Sequence, residues 1–139
     1  MAGTANMPPG ATRLLWAGEI SSRPFWVDVP VAVSPGDRLF FSTTNEWRDA
    51  SNVCDANGYD QSYLNWAKGL LRFRAPDATW FTLIGALDRR PESQFAIGDG
   101  TRWRDGWVAP DAGTLSCFAN DAWLFYWNNC KSVLFQVWA

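Results

Sequence analysis

The sequence contains no histidine, and this absence removes several kinds of chemistry at once. Without an imidazole, the chain cannot form the Ser–His or Cys–His pairs that activate nucleophiles in many hydrolases. General acid–base catalysis would fall to carboxylates, lysine or tyrosine. A zinc site would have to be assembled from scattered thiolates, because no Cys-x-x-Cys spacing occurs. We therefore expect a protein that is not an enzyme.

Cysteine is also scarce, with three residues in 139. An odd number cannot pair completely within one chain. Cys117 alternates with Leu115 and Ala119, which is typical of a small buried residue on a strand. Whether Cys54 and Cys130 form a disulfide stays open at this point.

Long hydrophobic runs and clustered charge are missing too. No apolar run approaches the roughly 20 residues of a membrane-spanning helix. The formal net charge is −2, with 12 basic and 14 acidic residues and no basic run, which argues against a nucleic-acid partner.

The first residues lack the basic and apolar regions of a secretory signal peptide. We interpret residues 1–11 as a flexible tail and residues 12–139 as one domain. The expected location is the cytoplasm, or the cell surface or exterior after release by a non-classical route.

Apolar residues recur with a period of two, which indicates strands. Val27, Val29, Val31 and Val33 predict a strand with one buried face, and Pro30 predicts an edge position or a break. After the Pro-Gly-Asp turn at residues 35–37, residues 38–43 should pair with it as a hairpin. Further predicted strands lie at residues 69–74, 79–84, 94–97, 113–118 and 132–138.

Turn signals separate these short runs at nearly regular spacing, and no segment shows a convincing helical pattern. The predicted fold is an all-β, single-domain β-sandwich of two antiparallel sheets.

An oxygen-rich motif precedes the last predicted strand. Asp121 is followed seven and eight residues later by Asn128 and Asn129, so that a bulging loop could direct all three side chains at one ion. Carboxylate, amide and backbone carbonyl oxygens are the ligands that Ca²⁺ prefers. The motif therefore predicts a calcium site with a single carboxylate, leaving coordination positions for neutral hydroxyl groups.

This loop resembles that of the PA-IL-like (LecA-like) family of calcium-dependent galactose-binding lectins. In that family an Asn-Asp pair, a short loop with a Tyr and an Asn-Asn pair form the calcium and sugar site. The likeness continues in three other segments, Trp16-Ala17-Gly18-Glu19, Pro35-Gly36-Asp37 and Trp107-Val108-Ala109-Pro110. It covers most of the chain, except that residues 48–77 differ in length and content.

The resemblance implies a sandwich of the galactose-binding or jelly-roll-like kind and a full set of site residues. Calcium would be bound by the side chains of Asp121, Asn128 and Asn129 and by the carbonyls of Ala50 and Phe125. Terminal galactosides would be the ligands. The sugar contacts would come from Asp121, Ala122, Asn128, Tyr59, Asp60 and Gln61. Gly58 and Tyr59 stand where the family has His and Pro.

Aromatic residues are abundant, with ten Trp, nine Phe and three Tyr. Most should fill the core. Trp47, Trp123 and Trp127 lie among polar residues or inside the calcium loop, and each is a candidate platform for a sugar ring.

Both faces of the C-terminal strand are apolar, with Leu134 and Trp138 on one and Val133, Phe135 and Val137 on the other. One face can be the core, and the other requires a cover. We expect a homo-oligomer, a tetramer as in the resembling family or a dimer.

Two alternatives remain at this level. A calcium-dependent membrane-binding β-sandwich would draw on Asp49, Asp55 and Asp60 as further carboxylates. A glycosidase would need two carboxyl groups on either side of the scissile bond, and no such pair stands out by spacing.

Overall fold

The computed structural model describes residues 7–60, 67–75 and 78–139. Two four-stranded antiparallel sheets have the orders β1-β11-β3-β8 and β2-β9-β6-β7, and a small third sheet has the order β10-β4-β5. The predicted all-β sandwich is confirmed. The strands are β1 Leu14–Ser21, β2 Val27–Val33, β3 Arg38–Thr44, β4 Trp47–Asp49, β5 Asn52–Cys54, β6 Leu83–Leu87, β7 Phe95–Ala96, β8 Trp107–Val108, β9 Gly113–Ala119, β10 Asn129–Cys130 and β11 Ser132–Trp138.

Strand β2 shows why the sequence folds this way. Val29, Val31 and Val33 are buried, and the residues between them are exposed. The strand lies at the edge of its sheet, and its register with β9 shifts between Asp28 and Ala32, around Pro30. Both the edge position and the break follow from the N–H group that proline lacks.

The predicted hairpin between β2 and β3 is wrong. The two strands lie in different sheets, so residues 34–37 connect the layers of the sandwich. Within this corner the Asp37 N–H donates to the Ser34 carbonyl at 3.0 Å, and the Gly36 N–H donates to Ala109 at 2.8 Å. Both strands contribute side chains to the same core, which requires them to face each other across it.

Among the other predicted strands, residues 113–118 and 132–138 correspond to β9 and β11, and residues 94–97 contain the shorter β7. The prediction for residues 69–74 is wrong, since the described part has only an isolated bridge there, between Leu71 and Ala122. The predicted strand at 79–84 is displaced, because β6 begins at Leu83. In the described part the helices are short 3₁₀ turns at Pro91–Ser93, Thr101–Trp103 and Trp123–Asn128, besides residues 67–70.

The C-terminal strand β11 lies inside its sheet, between β1 and β3. Val133, Phe135 and Val137 are fully buried in the main core. Leu134 and Trp138 are half-buried on the outer face, where the Trp138 Nε1–H donates to Ser42 Oγ at 3.0 Å. The oligomer stays a prediction.

The predicted boundary at residue 12 also stays a prediction. Ala11 is buried, and its N–H donates to the Pro8 carbonyl at 3.1 Å. None of the helices in the described ranges is long and apolar enough to cross a membrane.

All three cysteines are free. Cys54 lies opposite Trp47 and Cys130 lies opposite Arg48, on the two sides of β4. Neighbouring strand residues point to opposite faces, so Cys54 and Cys130 do not meet.

Candidate functional site

The loop between β9 and β10 carries the oxygen-rich motif. Asp121 precedes a 3₁₀ turn at Trp123–Asn128, and Asn129 begins β10 directly after it. Strand β10 pairs with β4, with Asn129 opposite Asp49, and the Ala50 N–H donates to the Asn128 carbonyl at 3.1 Å. The fold therefore brings together residues that lie about 80 positions apart in sequence.

Three buried oxygens of this loop have no hydrogen-bond partner in the described structure. They are Asp121 Oδ2, Asn128 Oδ1 and Asn129 Oδ1. The other atoms of two of these side chains are engaged, since the Ala122 N–H donates to Asp121 Oδ1 at 2.7 Å and Asn129 Nδ2 donates to the Ser22 carbonyl at 3.0 Å.

A buried polar group left unpaired costs about 1–3 kcal/mol. Three such acceptors on one loop form a donor set that fits a hard cation such as Ca²⁺, which binds carboxylate and amide oxygens.

The Asp121 side chain is electrostatically unusual. Its pKa is raised to about 7, mainly by burial and also by the nearby charge of Asp49. The Ala122 N–H, the adjoining Asn129 side chain and the Arg72 charge act in the opposite direction. A carboxylate in this position is stabilised by a bound cation, because the cation compensates the lost hydration.

Asp49 is a site residue that the sequence analysis did not assign to the calcium site. It is buried at the end of β4, and the Tyr59 hydroxyl donates to its Oδ2. Burial raises its pKa, and the hydrogen bond from Tyr59 partly offsets this. The site thus contains two carboxylates rather than one. The described ranges contain no group of three or more His, Cys, Asp or Glu side chains placed to hold a metal ion. The sequence feature that could have identified Asp49 is its position directly before Ala50, a predicted ligand.

A surface cavity of about 380 Å³ opens beside the loop and is lined by Asn128, whereas Asp121 and Asn129 do not line it. Ala50, at the tip of the β4–β5 turn, has a positive φ of 52°. Ala50 lines the cavity together with Phe125 and Asn128. The two residues predicted to bind calcium through their carbonyls therefore border the same cavity as Asn128, a predicted side-chain ligand. The full lining is Asp49, Ala50, Asn52, Tyr59, Trp80, Leu124, Phe125, Trp127 and Asn128.

Gly58 allows Tyr59 to reach the cavity. Gly58 has a φ of 78°, and a Cβ at this position would lie 2.1 Å from the Trp80 carbonyl oxygen. The Tyr59 N–H donates to that same carbonyl at 2.8 Å. Only glycine permits this close approach of the two backbones.

Other predicted sugar contacts are placed differently. Asp60 forms an ion pair with Lys68 at 2.8 Å and lines another cavity, so it does not line the cavity beside Asn128. Ala122 is buried and bridges to Leu71. Gln61 lies outside the described residues.

The three candidate aromatic platforms also differ. Trp47 is 0% exposed and packs edge-on against Phe81 at 5.7 Å, so this candidate is corrected to a core residue. Trp123 is half-exposed, with the Arg72 guanidinium 3.9 Å from its ring centroid. Trp127 is 72% exposed and lines the cavity.

Arg72 packs against the β9–β10 loop and does not line the cavity. No sequence pattern identified it. Its guanidinium lies 3.6 Å from the Phe118 ring centroid and 3.9 Å from that of Trp123. Its Nη1 donates to the Phe25 carbonyl and to the Tyr126 hydroxyl, each at 2.7 Å, and its backbone N–H donates to the Asp121 carbonyl at 3.1 Å. Burial lowers the Arg72 pKa. Arg72 thus contacts the loop at Asp121, Trp123 and Tyr126.

Comparison with solved structures adds the fold relationship. The chain matches a structure described as the EclA N-terminal domain, a PllA-like lectin, with a TM-score of 0.67 and 17% sequence identity. The match covers 90% of this chain and 96% of that one. The chain shares the fold of that domain. No protein-family model matches the sequence, and neither does any curated protein. The lectin likeness is therefore one of architecture.

Proposed function

We propose that this protein is a calcium-dependent lectin. The observation that carries the proposal is the set of three buried, unpartnered oxygens on Asp121, Asn128 and Asn129. These side chains would hold Ca²⁺ together with the carbonyls of Ala50 and Phe125. The lectin fold of the matched structure supports the assignment.

When bound, calcium would supply Lewis-acid positions that accept two vicinal hydroxyl groups of a sugar. The chain's own residues then orient that sugar. Oxygens of Asp121 and Asn128 accept hydrogen bonds from the two hydroxyls. Tyr59 and Trp127, on the wall of the cavity, offer flat faces to the ring. The protein binds without catalysis, and terminal galactose is the first candidate.

The decisive experiment is a glycan array, run once with calcium and once with a chelator. We expect binding to terminal galactosides that disappears in the chelator. Binding that persists in the chelator would refute the calcium bridge. A set of bound glycans without terminal galactose would refute only the sugar preference.

A membrane-binding module is the second candidate, and one observation favours it. The tip of the calcium loop exposes two large apolar side chains, with Leu124 82% and Trp127 72% exposed. Such side chains insert into the interfacial region of bilayers. Pelleting with liposomes that carry no sugar, in the presence of calcium, separates the two candidates. The lectin should stay in solution.

We also propose that the protein is a homo-oligomer. The half-buried Leu134 and Trp138 lie on the outer face of β11. Linked sites would raise the avidity for clustered sugars by about a hundredfold or more. Light scattering at micromolar concentration should give a multiple of 15.6 kDa, and Trp138→Ser should lower it.

A further inference from the structure

Trp127 occupies an unusual place for a large aromatic side chain. It immediately precedes the proposed ligand Asn128, and 72% of its surface is exposed. Several tryptophans contact other aromatic rings, as Trp123 contacts Phe25 at 5.1 Å, and Trp80, which has no such contact in the described ranges, is 1% exposed. Within the described ranges, Trp127 makes no such contact. Its indole therefore contributes little to the folded core.

Trp127 also borders two cavities. One is the cavity beside the calcium loop. The other, of about 320 Å³, is lined by Arg23, Pro24, Phe25, Tyr126 and Trp127. Because Trp127 lines both cavities, a ligand that extends from one to the other would run along this residue.

The second cavity has a fixed wall and a polar rim. Phe25 lies edge-on to Trp123 at 5.1 Å and to Tyr126 at 5.2 Å, and its carbonyl accepts the Arg72 hydrogen bond. Arg23 is exposed at the rim, where its guanidinium can donate to hydroxyl oxygens. The lining suits a ring with an apolar face and polar edges.

We propose that Trp127 forms a subsite for the ring that is joined to the calcium-bound sugar through its glycosidic bond. This inference rests on the proposed lectin function. The ring is a second pyranose or an aryl group, which share a flat face able to stack on indole. The protein would thus recognise the terminal sugar together with its attachment.

The test compares methyl and phenyl β-galactosides by titration calorimetry in calcium, and adds a β-linked digalactoside as a third probe. The variants are Trp127→Ala and Trp127→Leu, which keeps apolar volume without a flat ring. Leu14→Ala is the control, since Leu14 is also exposed but lines neither cavity.

We expect the phenyl glycoside to bind the wild type and Leu14→Ala roughly 2- to 10-fold more tightly than the methyl glycoside, the range of an aromatic pair. This ratio should fall to about 1 in both Trp127 variants. A similar gain with the digalactoside identifies a second sugar as the natural occupant, and a gain with the phenyl glycoside alone identifies an aryl group.

Two results would overturn the inference while leaving the lectin function intact. One is an equal affinity of the wild type for all three probes, and the other is a phenyl preference that survives in the Trp127 variants. If no galactoside binds the wild type in calcium, the proposed galactose function fails, and this subsite fails with it.

Discussion

Asn120 and Asp121 are neighbours in sequence, and both are 0% exposed. They differ in hydrogen bonding, because both polar atoms of the Asn120 side chain have partners and one oxygen of Asp121 has none in the described ranges. Asn120 Oδ1 accepts the Phe73 N–H at 3.0 Å, and its Nδ2 donates to the Phe73 and Thr79 carbonyls at 2.9 and 3.1 Å. Asp121 Oδ2 has no partner in the described structure. A satisfied buried amide stabilises the fold, whereas an unsatisfied carboxylate costs stability and marks a place for a ligand.

The largest expected effect concerns the charge of Asp121 in the metal-free protein. Its pKa rises from 3.8 to about 7 on folding, so its contribution to stability is full below pH 4 and is lost as the pH rises to 7. Asp121→Asn removes this pH-dependent loss of stability, because an amide does not ionise. The unfolding free energy of the variant relative to wild type should therefore increase by on the order of 4 kcal/mol between pH 3 and pH 8.

Urea denaturation in the presence of a chelator, at several pH values, measures this difference. The comparison between the two proteins cancels the carboxyl groups that do not interact with Asp121, such as Asp99 and Asp111, whose pKa values are lowered. Parallel pH profiles for wild type and variant would contradict the buried charge.

The next effect tests the hydrogen-bonded side chain, Asn120. Asn120→Ala removes three hydrogen bonds and leaves backbone groups of Phe73 and Thr79 without partners. We expect a loss of about 3 kcal/mol in unfolding free energy, alike with calcium and with chelator. Thermal melts under both conditions measure it. A loss below about 0.5 kcal/mol would show that Asn120 does not anchor the loop.

A third effect is the stabilisation by calcium itself. Calcium at a hundredfold excess over its dissociation constant should stabilise the wild type by about 2.7 kcal/mol, because it binds only the folded state. Asp121→Asn should abolish this gain, and Asp49→Asn should reduce it in part. Asn128→Asp should weaken it less than Asp121→Asn. A wild-type melting curve that calcium leaves unchanged after chelation would remove the metal from the proposal.

The smallest effect concerns Arg72, which contacts Trp123 and Tyr126 of the 3₁₀ turn. Arg72→Lys keeps the charge, but an ammonium cannot stack between the Phe118 and Trp123 rings as a planar guanidinium does. We expect the calcium affinity to fall by about 5-fold, roughly 1 kcal/mol.

The matched control is Arg74→Lys, since Arg74 is exposed and donates to the Gly69 carbonyl. Calcium titration of both variants decides the point. Equal affinities would show that Arg72 contributes to folding alone.

Much of the fold could be predicted from alternation. The four valines of β2 and the apolar run of β11 are local patterns, and each strand formed where its pattern lies. That β2 and β3 lie in different sheets could not be predicted, because one buried face is equally compatible with pairing in the same sheet and with packing across the core. The strand predicted at residues 69–74 was wrong for a similar reason. Leu71 is apolar because it is buried in loop packing against Ala122, not because it lies in a strand.

The candidate site divides in the same way. The spacing of Asp121, Asn128 and Asn129 is written in one short segment, so their shared loop was predictable. Asp49 and Arg72 belong to segments about 50–70 residues away, and only the pairing of β4 with β10 and the packing of Arg72 brought them to it.

The sequence by itself determined the strand-forming runs and the choice of oxygen ligands, because these depend on neighbours along the chain. Tertiary structure decided which tryptophan is core and which is exposed. Trp47 and Trp127 both lie among polar residues in sequence, but the first is fully buried and the second is 72% exposed. Burial depends on the elements that pack over a side chain, and these come from distant parts of the chain.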